Sequence, residues 1–290
     1  MPQLQNASKR DDMSNIVALE HVNLTVPDQE LAIQFYLVGL GLTRDPYMFV
    51  GPENMWANVG NQQFHLPTRA NQAIPGHIGV IIPDLEALKS RLSNVEEKLA
   101  GTSFSWSAQD EYVQVSGPWG NQFRCYCPND KFGDMGLGIS YVEFNVKPGS
   151  VTGISSFYKK VLGAPSSITQ DLGGSVATIG IGRNQSLVFR ETDTSIPPYD
   201  GHHIAVYIAS FSKPYNYLKR RGLIMEEINN HQFRFKHIVD PGTDEPVMEL
   251  EHEVRSMFHP MYQRYLVNRN PVQTIRAYVP GRDSMTAAGH

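Results

Sequence analysis

His21-Val22-Asn23-Leu24-Thr25-Val26 decides the reading of this chain, because its pattern returns three more times. The other copies are His77-Ile78-Gly79-Val80-Ile81-Ile82, Tyr141-Val142-Glu143-Phe144-Asn145-Val146 and His203-Ile204-Ala205-Val206-Tyr207-Ile208. Each stretch alternates so that one face is strongly apolar, the period of a half-buried strand. Three of the four open with histidine, a residue used only 10 times in 290, and it falls on the face opposite the apolar one. A strand that buries one face and presents an imidazole from the other can bring a ligand or an acid–base group to a cavity.

Outward from these strands, larger units repeat. Residues 29–40 read as a helix that carries Phe35-Tyr36 and closes in Gly39-Leu40-Gly41, and residues 152–162 read the same way with Phe157-Tyr158 and Leu162-Gly163. The interval between the Phe-Tyr pairs nearly equals that between His77 and His203, the mark of a duplicated supersecondary unit. Residues 85–92 and 215–222 are short amphipathic helices with basic ends, as the helix dipole prefers. Three short strands follow each helix. The chain thus reads as strand-helix-strand-strand-strand four times, in modules 16–68, 74–129, 139–192 and 200–257.

Two domains are expected, 16–129 and 139–257, joined by the turn-rich stretch 128–138 with its glycines and Asn-Asp step. Residues 1–15 are polar, without an apolar signal core, and are expected to be a flexible tail. The extension 258–290 carries Pro260, Pro271 and Pro280; its Phe258, Met261, Tyr262, Tyr265 and Leu266 could dock as a helix, and residues 281–290 are expected to be mobile.

At 290 residues the chain can bury a sizeable core. A formal charge of −4 gives no attraction to nucleic acid or an acidic membrane. No apolar run approaches the ~18–20 residues that span a bilayer. Cys125 and Cys127 are the only cysteines; two apart on a strand, they suit neither a disulfide nor a zinc knot. Cytoplasmic residence is the expectation. There is no phosphate loop, dinucleotide fingerprint or serine-nucleophile elbow.

The module order resembles the vicinal oxygen chelate superfamily: glyoxalase I, bleomycin- and fosfomycin-resistance proteins and the two-domain extradiol dioxygenases. The likeness covers residues 16–255 and rests on the histidine-led strands, the Phe-Tyr helices followed by Leu-Gly, and closing strands such as Gly120-Asn121-Gln122-Phe123-Arg124 and Met248-Glu249-Leu250. It implies an α+β fold, with four βαβββ modules paired into two domains, each a U-shaped mixed sheet around a cup with helices outside. It also implies metal ligands on the first and last strands of the modules. With consecutive modules paired, cup one takes His21 and His65 from module one and His77 and Arg124 from module two. His65 and Arg124 then stand where the family pattern has glutamate. Cup two takes Tyr141 at the position of the dioxygenases' first histidine, and His203 and Glu249 at those of the second histidine and the glutamate. Arg190 aligns with Arg124 through its preceding phenylalanine, and Glu143 lies one pleat from Tyr141. Glu20 and His202 are expected to face away from their cups. His231 and His237 could reach cup two as acid or base.

His21, His65 and His77 form the expected metal site, for iron(II), zinc, nickel or manganese. Neutral imidazoles suit several divalent metals and leave open positions for a chelating substrate. They also leave the metal's full charge, which favours an anionic substrate. Arg124 cannot ligate, since guanidinium stays protonated, but it could clamp a carboxylate or enolate. Arg124, Tyr141, His203 and Glu249 are the candidate catalytic residues. The implied function is a metal-dependent small-molecule enzyme that binds adjacent oxygens and stabilises an oxyanion or enolate. Ring-cleaving dioxygenase chemistry ranks ahead of lyase or isomerase chemistry. The alternative is a metal-free binding or drug-sequestering protein, its histidines merely hydrogen-bonded and cup two a buried Tyr-His-Glu-Arg network. The expected partner is a small molecule, anionic or oxygen-chelating, with no nucleic acid and no membrane. A homo-oligomer is compatible with the sequence.

Overall fold

The computed structural model describes residues 14–46, 53–171 and 173–269. The rest of the expected N-terminal tail and C-terminal extension lies outside the described residues. Module one comprises β1 (Ile16–Asn23), α1 (Gln29–Ala32), β2 (Thr43–Arg44), β3 (Asn54–Val59) and β4 (Gln62–Pro67). Module two comprises β5 (Gly76–Ile81), α2 (Leu85–Val95), β6 (Ser105–Ala108), β7 (Val113–Ser116) and β8 (Gln122–Tyr126). Module three has β9 (Gly138–Val146), α3 (Val151–Phe157), β10 (Ser166–Asp171), β11 (Gly174–Gly182) and β12 (Gln185–Glu191). Module four has β13 (His203–Ile208), α4 (Ser212–Arg220), β14 (Ile224–Ile228), β15 (Gln232–Val239) and β16 (Pro246–Ser256).

Local chemistry explains the helix starts. The Asp28 carboxylate accepts the Glu30 and Leu31 N–H groups, and Asp84 accepts that of Ala87, each satisfying donors that a helix leaves open. Helices α1 and α3 both widen at their ends into a turn of π geometry, over Ile33–Gly39 and Tyr158–Leu162.

The two eight-stranded sheets run β14-β15-β16-β13-β1-β4-β3-β2 and β10-β11-β12-β9-β5-β8-β7-β6. This overturns the expected pairing of consecutive modules within a sheet. Module one shares sheet one with module four, and module two shares sheet two with module three. In every module the first strand bonds its own last strand in parallel through one edge, which leaves its other edge open. The open edges join antiparallel, β5 to β9 and β1 to β13. Nothing within a module says which other open edge it meets.

Consecutive modules meet instead through their helices. Phe35 lies 5.4 Å from Phe123 of sheet two, and Tyr36 lies 5.3 Å from Phe64 of sheet one. Phe157 reaches Phe235 of sheet one, and Tyr158 reaches Phe189 of sheet two. The repeated Phe-Tyr pair is therefore the bridge between sheets, inside one continuous apolar core. Two buried glutamines lace the sheets as well. Gln62 accepts the Ile139 N–H, and Gln185 accepts the Leu19 N–H.

Candidate metal centre

The faces of the sheets opposite the helices hold the polar side chains. On sheet one, His21 pairs with Ala205 and His203 with Asn23 across β1 and β13, so a local two-fold relates the two histidines. Their parallel neighbours extend the symmetry. Asn23 sits beside His65, and Ala205 sits beside Glu253. Glu253 thus holds in module four the place His65 holds in module one.

His21, His65 and His203 converge, each offering a nitrogen within 4.8 Å of the others. His203, expected in the other cup, joins the two histidines of module one. His77 does not join them, because β5 belongs to sheet two. Glu249 is not at the site either: it lies two pleats from Glu253 on β16, 40 % exposed, and pairs with Lys236 at 2.8 Å. The closing motif Met248-Glu249-Leu250 is only the start of an alternation that continues through buried Leu250, His252 and Val254, with Glu251, Glu253 and Arg255 between them. That longer alternation was the available signal. His237 stays near Glu249 at 3.7 Å, and His202 bonds Asp200 at 2.6 Å.

His21 and His65 are each held by a second group. His21 Nδ1–H donates to the Glu20 carboxylate. Glu20 was expected to face away, but an irregularity between Leu19 and His21 shifts the β1 register and brings Glu20 to this network. His65 Nε2 meets Asn54 Oδ1 at 2.6 Å, and its ring stacks on Trp56 at 3.8 Å. His203 Nδ1 lies 3.8 Å from Glu251, and its Nε2 lies 3.9 Å from Glu253. Arg234 pairs with Glu251 and Glu253, and Arg255 pairs with Glu20 at 2.7 Å and with Glu253.

Burial pushes the His65 imidazole down to about 2, and the nearby His21 adds to the effect. Burial likewise drives His203 far below the ordinary histidine range. Both are neutral at ordinary pH, the form that ligates. Burial alone would raise the Glu20 carboxyl, but His21 and then Arg255 outweigh it and hold it at about 2.

These residues fit a divalent cation. The Nε2 atoms of His21 and His203 are buried with no hydrogen-bond partner among the described residues, and buried polar atoms rarely stay so. The outer nitrogen of His21 is fixed by a carboxylate and that of His65 by an amide oxygen, as metal-ligating imidazoles usually are. Three carboxylates, Glu20, Glu251 and Glu253, face two guanidiniums, Arg234 and Arg255. That leaves a surplus of negative charge which a cation would balance.

A C-terminal strap crosses one end of this face. Met261 Sδ approaches Arg255, the Tyr262 ring meets Tyr207 edge-on at 4.9 Å, and Arg264 donates to Gln63 Oε1 at 3.1 Å. The Asn58 amide donates to the Val267 carbonyl. Between the strap, Glu20 and Tyr207 and the loops at 134–137 and 183–185 lies a cleft of about 610 Å³.

Sheet two presents a different set. By the same register its four corresponding positions are His77, Tyr141, Arg124 and Val188. Arg190 corresponds to Tyr126 rather than to Arg124, as the parallel pairs Ile81–Tyr126 and Asn145–Arg190 show. His77 Nε2 meets the Tyr141 hydroxyl at 2.9 Å, and its Nδ1 lies 3.5 Å from Glu143. Arg190 pairs with Glu143 and Asp171. Arg124, His77 and Tyr141 are thus neighbours, away from His203 and the other histidines.

Burial first, then Arg124 and Arg190, lower His77 from 6.5 to about 3. The fold therefore keeps it neutral. Stability from this source is complete above pH 6.5 and is lost as pH falls from 6.5 toward 3. At pH 5 the unfolded chain's preference for the proton amounts to about 2 kcal/mol. His77→Gln, which cannot titrate, should lose about 2 kcal/mol less than wild type between pH 7 and pH 5 in urea unfolding. Equal losses would exclude a buried neutral His77.

The paired βαβββ modules and their two mixed sheets define the vicinal oxygen chelate fold. Solved structures agree. A protein of Bacillus subtilis, provisionally named a dioxygenase, matches with a TM-score of 0.54 at 13 % identity, over 84 % of this chain and 86 % of that one. Glyoxalase I from Zea mays matches with a TM-score of 0.56 at 15 % identity, over 82 % and 92 %. At such identities the likeness is one of fold. No protein-family model and no curated protein sequence matches the chain. Among the described residues, no helix is long and apolar enough to cross a membrane.

Proposed function

We propose that this protein is a metal-dependent small-molecule enzyme of the vicinal oxygen chelate type, working on sheet one. The observation that carries the reading is the convergence of His21, His65 and His203, with the Nε2 atoms of His21 and His203 buried and unpartnered. The three imidazoles would hold the ion, with Glu253 at the fourth position of the two-fold set. When bound, a divalent metal supplies Lewis acidity toward two adjacent substrate oxygens and stabilises negative charge that develops on them.

The chain's own residues do the rest. Glu20 fixes the tautomer and orientation of His21, and Asn54 does the same for His65. Trp56, stacked on His65 and buried, excludes water from that side of the ring. Arg234 and Arg255 hold the Glu253 carboxylate in place beside the imidazoles. Dioxygenase and glyoxalase, the names of the two structural neighbours, are both compatible with such a site. Ring-cleaving chemistry on an oxygen-chelating substrate is the first to assay, with lyase or isomerase chemistry next.

Metal analysis of protein purified without a histidine tag tests the reading. About one divalent ion per chain is expected, released by chelator and lowered by acid as the imidazoles protonate. A chain that takes up no iron, zinc, nickel or manganese under any loading condition would refute it.

A further inference from the structure

We propose that sheet two carries a separate, metal-independent site for a small aromatic carboxylate, bound by the Arg124 guanidinium among the rings of Tyr112, Tyr126 and Tyr141. The proposal does not depend on whether sheet one binds metal.

The first observation is an unmatched cation. Arg190, Arg234 and Arg255 each hold at least two carboxylates. Arg124 holds none: among the described residues it has no ion pair, and its Nε is buried without an acceptor. Glu143, a carboxylate whose charge acts on Arg124, is already bonded by Arg190 at 3.2 Å and approached by His77. A buried donor on a charged group without an acceptor is costly and uncommon. A bound carboxylate would give the half-exposed guanidinium the ion pair it lacks, and the planar fork can meet its two oxygens with two parallel hydrogen bonds.

The second observation is what surrounds that cation. The Arg124 guanidinium lies 5.3 Å from the centre of the Tyr112 ring, and Tyr112 lies 5.3 Å from Tyr126. Tyr112, Tyr126 and Tyr141 belong to a small apolar cluster separate from the main core. Gly79 sits beside both Arg124 and Tyr141 in the sheet. A Cβ at Gly79 would come within 2.1 Å of the Tyr141 ring, so the ring lies across the bare glycine next to Arg124.

Two of the three hydroxyls are already used. Tyr126 and Tyr141 bond each other at 3.0 Å, and Tyr141 bonds His77, which leads on to Glu143. Over the buried Tyr126, the half-buried Tyr112 and Tyr141 rings offer a ligand apolar surface. One cation with two-pronged geometry, set among apolar rings, matches a monoanion with a flat body better than a phosphate.

The test is calorimetric titration of the full chain with sodium benzoate after chelator treatment. Saturable binding is expected. It should weaken at least about tenfold in Arg124→Gln and in Arg124→Lys, since lysine lacks the planar fork. Arg124 has no ion pair to lose, only its contact with the Tyr112 ring, so both variants should melt close to the wild-type temperature. His65→Ala should bind benzoate like wild type. Benzamide, the neutral analogue, and inorganic phosphate should not displace it. No saturable binding up to about 10 mM, where even a millimolar site would fill, overturns the proposal. So does binding that survives Arg124→Gln but is lost in His65→Ala, which would place the ligand on sheet one. Displacement by phosphate at equal concentration would overturn the ligand class.

Discussion

His203→Ala is expected to lose its bound divalent metal, while His77→Ala keeps it. Both histidines open first strands with the same pattern, so composition does not separate them. Geometry does. His203 lies with His21 and His65 inside a 4.8 Å cluster, whereas His77 bonds Tyr141 on the other sheet. Removing a group that only supports a ligand typically costs about 10–100-fold in metal affinity. Removing one of three direct ligands should cost more than about 100-fold, enough to empty the site on dialysis. Metal content by elemental analysis, with melting temperature as the folding control, reads the difference, and turnover should follow once a substrate is known. Metal loss in His77→Ala with retention in His203→Ala would falsify the assignment. Glu253→Gln gives a graded check. The amide keeps its volume but not its charge, so metal affinity should fall by less than for His203→Ala.

The modules were legible in the sequence because each is set by local patterns. Strand alternation, the Phe-Tyr helices and the Leu-Gly closures are all short-range signals. His21 and His65 could be named as a pair because they sit on the first and last strands of one module, which bond each other in any module. Which module completes the site was not legible. The open edge of β1 could have met β5 as easily as β13, since both are histidine-led apolar strands. The partner of that edge decides between His77 and His203. The fourth position was missed for a related reason. Glu249, Glu251 and Glu253 share one face of β16, and only register against β13 selects Glu253. Glu20 was misplaced because simple alternation assumes a regular strand, and β1 is irregular between Leu19 and His21.

Arg255→Met should destabilise the protein by about 3–5 kcal/mol, the usual cost of removing one member of a buried ion network. The Arg255 side chain is 7 % exposed, and its partners Glu20 and Glu253 are 9 % and 2 % exposed. Methionine fills much of the space but leaves two buried carboxylates with less compensation. The contrast is Arg221, whose 2.7 Å pair with Asp244 is equally short but open to solvent on both sides. Arg221→Met should cost no more than about 1 kcal/mol, because water and salt screen exposed pairs. Urea unfolding of the three proteins at pH 7 gives the comparison. Acid should then narrow the gap. In wild type, Glu20 is held at about 2 against an ordinary 4.5, so its contribution is complete above pH 4.5 and lost as pH falls from there toward 2. Without Arg255 the Glu20 carboxyl takes up its proton earlier, so the variant has less to lose over that window and the two stabilities converge. A variant as stable as wild type at pH 7, or a deficit that widens in acid, would mean that the Glu20–Arg255–Glu253 network does not support the His21 side of the site.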